Sequence, residues 1–291
     1  SLPGIYPPVP SDGRYLIVTI GDGQVGDRGQ EQIAYLDLSR PGAGMTTLIG
    51  AYEAEYVFLG NDGPKFYFQT TFGALKKRVI AIDLRSPARA KWQEIVAEGP
   101  QAIDGATLTG GQIFVTTLAH AHSAITAYDL RGKKLREVQL PGLGSAHGFH
   151  GGPSDRETFY SFTGFTTPST IYRYDIATGE SAVFKAPKVD FDGSQYVTEQ
   201  KFFISKDGTR VPMFITYKKG TRRNGTAPTL LYGYGGFNIS MTPSFSVANA
   251  VWLEMGGIYA VANMRGGGEY GEEWHQAGTK LKKQNVFDDF I

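Results

Sequence analysis

The sequence contains no cysteine among its 291 residues. This absence excludes a disulfide framework, a thiol nucleophile and a zinc site with cysteine ligands. Cysteine usage is what indicates an oxidising or a reducing compartment, so without cysteine the sequence does not indicate the compartment of the protein.

The chain also lacks an excess of either charge. Its 29 lysine and arginine residues face 28 aspartate and glutamate residues, which gives a net charge of +1. No block of like charges suggests a surface for nucleic acid or lipid. We therefore expect neither a nucleic-acid partner nor a membrane partner.

Long hydrophobic runs are missing as well. The longest apolar stretch, from Val247 to Met264, is interrupted by Asn249, Glu254 and two glycines, so it does not predict a membrane span. The opening "SLPGIYPPVPSDG" has no initiator methionine and no charged segment before an apolar one, so no targeting signal is visible. We expect an internal piece of a longer protein.

What the first part of the chain does contain is a repeat. Four similar segments, "IAYLDL", "VIAIDL", "ITAYDL" and "IYRYDI", place Asp37, Asp83, Asp129 and Asp175 at a constant step of 46 residues. Each follows a strand-like segment rich in β-branched and aromatic residues: "YLIVTI", "KFYFQT", "QIFVTT" and "TFYSFT". This period is typical of propeller blades, so residues 1–187 are predicted to form four blades of a β-propeller. A β-sandwich is the less favoured alternative, and we interpret the aspartates as turn caps.

After residue 187 the pattern changes, and residues 188–291 are predicted to begin a parallel α/β sheet. A hairpin around Asp207 is followed by the strand "TLLYGYGG" and by a helix with Ser246 as N-cap and Gly256 as its stop. "IYAVANM" is predicted to be a buried strand, and "TKLKKQNVFDDFI" to be the opening turns of a further helix.

The stretch "NMRGGGEYGEEWHQAG" has Gly266, Gly268 and Gly271 at the spacing of a dinucleotide-binding loop. We expect no nucleotide site, because no helix is predicted to start promptly and no acidic residue ends a strand about 20 residues on. Glu272 and His275 resemble half of a di-iron site, but no second such pair exists. We interpret His275 as a hydrogen-bonded structural residue and the stretch as an architectural loop tied down by its arginine and glutamates.

Three strings together, "LLYGYGGFNIS" (residues 230–240), "ANMRGGGEYGEEWHQAG" and "KQNVFDDF", resemble the prolyl oligopeptidase family of serine peptidases. "KDGTRVPMFITYKKG" is similar to the hairpin that opens the family's catalytic region. The resemblance covers essentially the whole chain and is strongest after Lys201. It implies a seven-bladed propeller joined to an α/β-hydrolase domain, of which this chain would hold the last four blades and the first part of the hydrolase domain.

The resemblance implies a role for two residues. Tyr234 matches the tyrosine whose hydroxyl forms half of the oxyanion hole. Phe237 matches an aromatic wall of the pocket for the substrate's proline ring, although a loop aromatic that fills the core is the alternative. The chain has no GxSxG-type motif, so the catalytic serine, aspartate and histidine are expected beyond Ile291 and the chain alone is expected to be inert. Asp288 and Asp289 are expected to be solvated rather than catalytic.

The implied activity is hydrolysis of short proline-containing peptides on the carboxyl side of proline, through an acyl-serine intermediate. The resemblance implies no metal or organic cofactor and a monomer when full length. Cytoplasm is the usual family location, although exported bacterial members leave a periplasmic or secreted location open. Two alternatives remain: a non-catalytic propeller that binds a partner, and another peptidase of the clan such as an acyl-peptide hydrolase. The "GGFN" after the tyrosine disfavours the branch specific for basic residues.

Overall fold

The computed structural model of the chain describes residues 5–6, 12–21, 30–222 and 224–291. Within these residues it has twenty β-strands and three α-helices, and the strands form five sheets of four strands each. The opening segment on which the absence of a targeting signal was predicted lies almost wholly outside the described residues. None of the described helices is long and apolar enough to cross a membrane.

The first four sheets each take their strands in chain order, which is the order of a propeller blade. This confirms the prediction of four blades. The first two sheets consist of β1 Ile5–Tyr6, β2 Tyr15–Gly21, β3 Glu31–Asp37 and β4 Thr46–Ile49, and of β5 Tyr56–Asp62, β6 Lys65–Thr70, β7 Arg78–Asp83 and β8 Gln93–Val96. The third sheet consists of β9 Ile103–Thr109, β10 Gln112–Ala119, β11 His122–Asp129 and β12 Lys134–Glu137. The fourth sheet consists of β13 Ser145–His150, β14 Glu157–Gly164, β15 Thr167–Asp175 and β16 Ser181–Lys185.

The repeated aspartates cap the turns that follow the third strand of each blade. Asp37 accepts a hydrogen bond from Ser39 N at 3.1 Å and Asp83 accepts one from Arg85 N at 2.9 Å. The other two aspartates each accept two such bonds, Asp129 from Arg131 N and Lys133 N and Asp175 from Ala177 N and Thr178 N. The interpretation of these aspartates as turn caps is confirmed.

The chain divides into two compact units. One comprises the described residues up to Thr116 with 126–136 and 150–155, and the other comprises 117–125, 137–149 and 156–291. The predicted division of the chain after residue 187 stays a prediction.

In the first unit, the aromatic run of β6 is explained by burial on both faces. Side chains alternate along a strand, so Phe66 and Phe68 face one hydrophobic cluster while Tyr67 faces another. The first cluster includes Tyr15 and Ile17, and all five side chains are almost fully buried. A strand that is buried on both faces requires a nearly continuous apolar sequence, as "KFYFQT" provides.

In the second unit, the fifth sheet has the order β17, β18, β20, β19. β17 pairs antiparallel with β18 and β18 with β20, whereas β19 pairs parallel with β20. The elements are β17 Tyr196–Ile204, β18 Arg210–Lys218, β19 Thr229–Gly233, α1 Val247–Glu254, β20 Ile258–Ala262, α2 Glu272–Gln276 and α3 Gln284–Asp288. The predicted hairpin, strand, helix and buried strand are all confirmed.

The helix α1 connects the two parallel strands and lies on the sheet through Leu253, which is fully buried with Phe214 and Val261. It begins after Ser246, whose backbone is extended, and it ends before Gly256, whose φ of 88° is in the left-handed region that favours glycine. The predicted positions of both ends are confirmed, although the Ser246 side chain makes no capping hydrogen bond. The last segment of the chain forms a 3-10 turn and the five-residue α3.

Candidate active site

Two loops leave the same edge of the fifth sheet. β19 and β20 are parallel, with Gly233 in register with Ala262, so the residues after each strand emerge side by side. We call residues 234–241 the tyrosine loop and residues 263–271 the glycine loop. In α/β sheets the carboxyl ends of parallel strands are where ligands bind. Both predicted site residues, Tyr234 and Phe237, lie on the tyrosine loop.

The two loops pack backbone to backbone, and two glycines permit this contact. A Cβ atom on Gly235 would lie 2.6 Å from Arg265 O and 2.4 Å from the Val286 side chain. A Cβ atom on Gly266 would lie 2.8 Å from Gly235 O, and its φ of 92° is itself unfavourable for other residues. The glycine-rich sequence therefore serves the close approach of two loops.

At the tip of the tyrosine loop, two consecutive residues adopt a left-handed backbone. Phe237 has a φ of 52° and Asn238 a φ of 57°. Such conformations cost on the order of 1 to 3 kcal/mol in non-glycine residues, although asparagine tolerates them better. They persist only where surrounding contacts hold them, and here the contacts come from the glycine loop and α2.

Those contacts are hydrogen bonds to the loop backbone. Asn238 N donates to Gly266 O at 3.1 Å and lies 3.1 Å from His275 Nδ1. The same Nδ1 atom lies 2.7 Å from Gly266 O, a separation that fits a proton on Nδ1 donating to that carbonyl. Ile239 N donates to Gly236 O within the loop at 3.1 Å. The glycine loop thus fixes the tip at Asn238, and α2 supports the glycine loop through His275.

Although the backbone of the loop is fixed, its aromatic rings are not packed. Phe237 is 80% exposed and Tyr234 is 37% exposed. The alternative in which Phe237 fills the core is therefore wrong. Leaving a phenylalanine in water forgoes about 1.5 to 3 kcal/mol of burial energy, so an ordered and exposed ring is suited to contact a ligand.

The glycine loop is held from its other side by a buried ion pair. Arg265 Nη2 donates to Asp289 Oδ1 at 2.6 Å and Arg265 Nε donates to Asp289 Oδ2 at 2.9 Å, while Arg265 N also donates to Oδ2 at 3.0 Å. The Arg265 side chain is 5% exposed and that of Asp289 is 0% exposed. The expectation that Asp289 is solvated is wrong, because this carboxylate is the counter-ion of a buried arginine.

The same guanidinium reaches the hairpin of β17 and β18. Arg265 Nη1 donates to Asp207 and Nη2 donates to Ser205 Oγ at 3.3 Å. The Arg265 guanidinium, with help from Thr209, holds the pKa of Asp207 well below its usual range. Hydrogen bonds to Asp289 and Asp207 raise the pKa of Arg265. One arginine therefore joins the glycine loop to α3 and to the hairpin.

Comparison with known proteins identifies this arrangement. The family described as "Prolyl oligopeptidase, N-terminal beta-propeller domain" matches residues 8–187, and the "Prolyl oligopeptidase family" matches residues 243–291. The chain belongs to the prolyl oligopeptidase family.

Several members of the family are similar over most of the chain. A prolyl endopeptidase of Elizabethkingia meningoseptica is 42% identical over 283 residues, which are 97% of this chain and 39% of the relative. A prolyl endopeptidase of Dictyostelium discoideum is 39% identical over 84% of this chain and 34% of its own length. This chain therefore spans about two fifths of the length of the first of these relatives and about a third of the second.

Solved structures of the family show the same fold. A prolyl endopeptidase structure superposes with a TM-score of 0.85 at 41% identity and covers 99% of this chain and 42% of its own. Prolyl oligopeptidase B of Galerina marginata, bound to a 35mer hydrolysis and macrocyclization substrate, superposes with a TM-score of 0.87 at 30% identity, over 99% of this chain and 41% of its own. Four propeller blades and the start of a prolyl oligopeptidase catalytic domain are thus present in this chain.

Within this family fold, the glycine loop is not built for a phosphate. A helix does begin directly after Gly271, so the expectation that no helix starts promptly is wrong. This helix, α2, has five residues and carries Glu272 and Glu273 in its first turn. Two carboxylates at a helix start would repel an anionic ligand, whereas phosphate sites use the positive end of the helix dipole.

The interpretation of His275 as a structural residue is confirmed. Its ring is 5% exposed and its Nδ1 atom contacts Gly266 O. The neighbouring Glu272 accepts a hydrogen bond from Gln276 Nε2 at 2.6 Å. In the described part of the chain, no three histidine, aspartate or glutamate side chains are grouped so that they could hold a metal ion.

Two polar residues of the site are buried, and of these the sequence analysis missed Asn263. Asn263 and Glu269 are both 0% exposed. Glu269 accepts a hydrogen bond from Met241 N at 2.9 Å, so it joins the two loops and confirms that a glutamate ties the glycine loop down. Asn263 could have been predicted as a site residue from its position directly after the buried strand "IYAVA". A polar side chain there lies at the carboxyl end of a parallel strand, where ligands bind in such sheets.

Proposed function

We propose that this chain is part of a serine endopeptidase that hydrolyses short peptides on the carboxyl side of proline. The observation that carries the proposal is the tyrosine loop, in which Tyr234 and Phe237 are held at the carboxyl edge of a parallel sheet with their rings exposed. A fixed backbone with exposed rings suits a substrate-binding loop, because little order has to be gained on binding.

We assign to Tyr234 the donation of a hydrogen bond to the oxyanion of the tetrahedral intermediate. Phenols as a class keep their proton at neutral pH and can donate to a developing negative charge. Such a donor acts most strongly on the transition state, so it contributes to kcat more than to substrate binding.

We assign to Phe237 one wall of the pocket for the proline ring of the substrate. The pyrrolidine ring is apolar and rigid, and an aromatic face offers it a large contact area at little entropic cost. The left-handed backbone at Phe237 and Asn238 holds that face in position before substrate arrives. This arrangement contributes to substrate affinity rather than to the chemical step.

The nucleophilic serine, its histidine base and the orienting aspartate are assigned to sequence beyond Ile291. Asp289 is unsuited to the last role, because its two carboxylate oxygens already accept hydrogen bonds from Arg265. On this assignment the 291-residue chain alone has no peptidase activity, since an oxyanion donor without a nucleophile forms no acyl intermediate. The names of the relatives, prolyl endopeptidases and prolyl oligopeptidases, support the proline specificity.

The test is a substrate comparison with the protein extended beyond Ile291. Short chromogenic peptides that end in proline, in arginine or in an acylated residue are hydrolysed in parallel, with a serine-directed phosphonate as inhibitor. We expect hydrolysis of the proline peptide to dominate and to be abolished by the phosphonate. A preference for acylated residues would favour another peptidase of the clan, and no hydrolysis at all would favour a propeller that binds a partner.

A further inference from the structure

A buried polar cluster joins the tyrosine loop to the glycine loop. It consists of the Glu269 carboxyl group, the Asn263 amide and the backbone of Met241. Asn263 Nδ2 donates to Met241 O at 2.6 Å, and Met241 N donates to Glu269 Oε1 at 2.9 Å. Asn263 Nδ2 also donates to Glu269 Oε1 at 3.4 Å. The cluster fixes the end of the tyrosine loop, while Asn238 fixes its tip.

The donors and acceptors of this cluster do not balance if Glu269 is ionised. Both hydrogens of the Asn263 amide and the Met241 N–H are used, but two acceptor atoms, Glu269 Oε2 and Asn263 Oδ1, have no hydrogen-bond partner among the described residues. Both side chains are fully buried, so bulk water does not reach them. A buried carboxylate oxygen without a donor is strongly unfavourable.

One proton on Glu269 Oε2 addresses both problems. It cancels the buried charge, and it turns one of the two unpartnered acceptors into a donor. Burial raises the pKa of Glu269 to about 7, against the opposing effect of hydrogen bonds from Met241 N, from its own backbone N–H, from Asn263 and from Trp274. The geometry and the electrostatics thus agree that the folded chain favours the neutral acid below that pH.

The charged groups around the cluster do not compensate the carboxylate. Arg265, in the same loop, is committed to Asp289. The two charged residues at the start of α2, Glu272 and Glu273, are themselves acids. The tyrosine loop contains no charged residue.

The neutral polar neighbours do not donate to Glu269 Oε2 either, since this atom has no hydrogen-bond partner among the described residues. The Trp274 indole on α2 lowers the pKa of Glu269, but its N–H donates to Met264 O at 3.1 Å, and His275 Nδ1 contacts Gly266 O. Tyr270 keeps its proton, because burial raises its pKa to about 12. The nearby donors therefore offset a negative charge on Glu269 only in part, since the effect of burial outweighs theirs.

The packing also leaves little space for a counter-ion. A Cβ atom on Gly267 would lie 2.2 Å from Glu269 Oε2 and 2.8 Å from Ile239 O. The carboxyl oxygen is therefore enclosed by the backbones of the two loops.

We propose that Glu269 is a positioning residue which, as a neutral carboxylic acid, holds the tyrosine loop and thereby the placement of Tyr234 and Phe237. Its catalytic consequence rests on the proposed function, whereas its protonation state does not. As the pH rises and Glu269 loses its proton, the cluster acquires a buried charge that its donors offset only in part, and the contact between the loops weakens.

The first measurement is urea unfolding of the 291-residue chain at pH 5 and pH 8, for the wild type, Glu269→Gln and Glu269→Leu. Glutamine mimics the neutral acid, and leucine removes every hydrogen bond of the side chain. Glu273→Gln, at an exposed position on α2, is the matched control. Comparison between variants cancels the titration of the histidines, which all of them share.

The sign of the expected effect follows from the pKa of Glu269, which is about 7 in the folded chain against the ordinary 4.5. A raised folded-state pKa gives stability that is complete below the unfolded pKa and lost as the pH rises through the folded pKa. The unfolding constant of the wild type, relative to Glu269→Gln, should therefore rise on the order of a hundredfold from pH 5 to pH 8. Glu269→Leu should be less stable than Glu269→Gln at both pH values.

The second measurement is the pH profile of kcat/KM in the protein extended beyond Ile291. We expect kcat/KM of the wild type to fall above pH 7 relative to Glu269→Gln, and Glu273→Gln to follow the wild type. If the proposed peptidase function were wrong, the activity profile would be uninformative, but the unfolding data would still test the protonation state of Glu269. Equal pH dependence of unfolding in the wild type and Glu269→Gln, or a Glu269→Gln chain as unstable as Glu269→Leu, would overturn the proposal.

Discussion

Truncation of Asp289 to alanine should destabilise the fold more than any change at its neighbour Asp288. The substitution removes the carboxylate that accepts hydrogen bonds from the Arg265 side chain and from its backbone N–H. The guanidinium, whose side chain is 5% exposed, would keep Asp207 and Ser205 as partners. Breaking a buried ion pair from one side typically costs about 3 to 5 kcal/mol.

Asp207 remains as a partner of Arg265, and its side chain is 45% exposed to solvent. We therefore expect the free energy of unfolding to fall by about 3 kcal/mol, at the lower end of that range. Asp288→Asn is the control, since Asp288 is only partly buried and accepts a side-chain hydrogen bond from Gln284 Nε2 at 3.0 Å. It should change the free energy of unfolding by no more than about 0.5 kcal/mol.

The assay is urea unfolding of the chain in a Trp92→Phe background, so that fluorescence reports only Trp252 and Trp274 of the second unit. The double variant Arg265→Met with Asp289→Leu, which has no charge at either position, should recover much of the loss because neither charge is left buried alone. A free energy of unfolding for Asp289→Ala within about 1 kcal/mol of the background would refute the reasoning, since the pair would then not hold the glycine loop.

Three further predictions concern the two loops. In the extended protein, Tyr234→Phe should lower kcat about a hundredfold or more and change KM little, because a transition-state donor is lost; an equal rise in KM would assign the hydroxyl to binding instead. Phe237→Ala should mainly raise KM for proline peptides, and an unchanged KM would remove Phe237 from the pocket. Gly266→Ala should destabilise the chain by more than about 1 kcal/mol in urea unfolding, because its Cβ would lie 2.8 Å from Gly235 O at a φ of 92°. The control is Gly208→Ala, at a similar φ of 88° but with no atom within 4 Å of its Cβ. An equal loss of stability in the control would show that backbone strain alone explains the effect.

The parts of the fold that the sequence predicted are those written in local patterns. The aspartates at a step of 46 residues are visible because each one caps a turn within a few residues of itself. The ends of α1 are visible because Ser246 and Gly256 have the backbone conformations for which their residue types are preferred. Such features can be predicted from neighbouring residues alone, without knowing the tertiary contacts.

The parts that could not be predicted depend on contacts between distant residues. Asp289 binds Arg265, 24 positions earlier, and nothing in the local sequence separates it from a solvated helix carboxylate. The five-residue α2 was hidden because it begins after Gly271, at a φ of 84°, within a stretch of glycines and aromatics. The exposure of Phe237 was equally invisible, since the same residue type in the same loop could have filled a core.

The glycines that imitate a nucleotide motif, the left-handed tip at Phe237 and the buried Glu269 have one cause. Each becomes necessary once two loops from adjacent parallel strands are brought into backbone contact: the glycines remove the Cβ atoms that would separate them, and Asn238 N bonds across to Gly266 O. Glu269 then lies where the contact excludes water, which makes its charge unfavourable and its proton part of the structure. We expect the tyrosine loop to gain rigidity from the same burial that makes it sensitive to pH, so the two properties should be lost together when the glycine loop is loosened at Arg265.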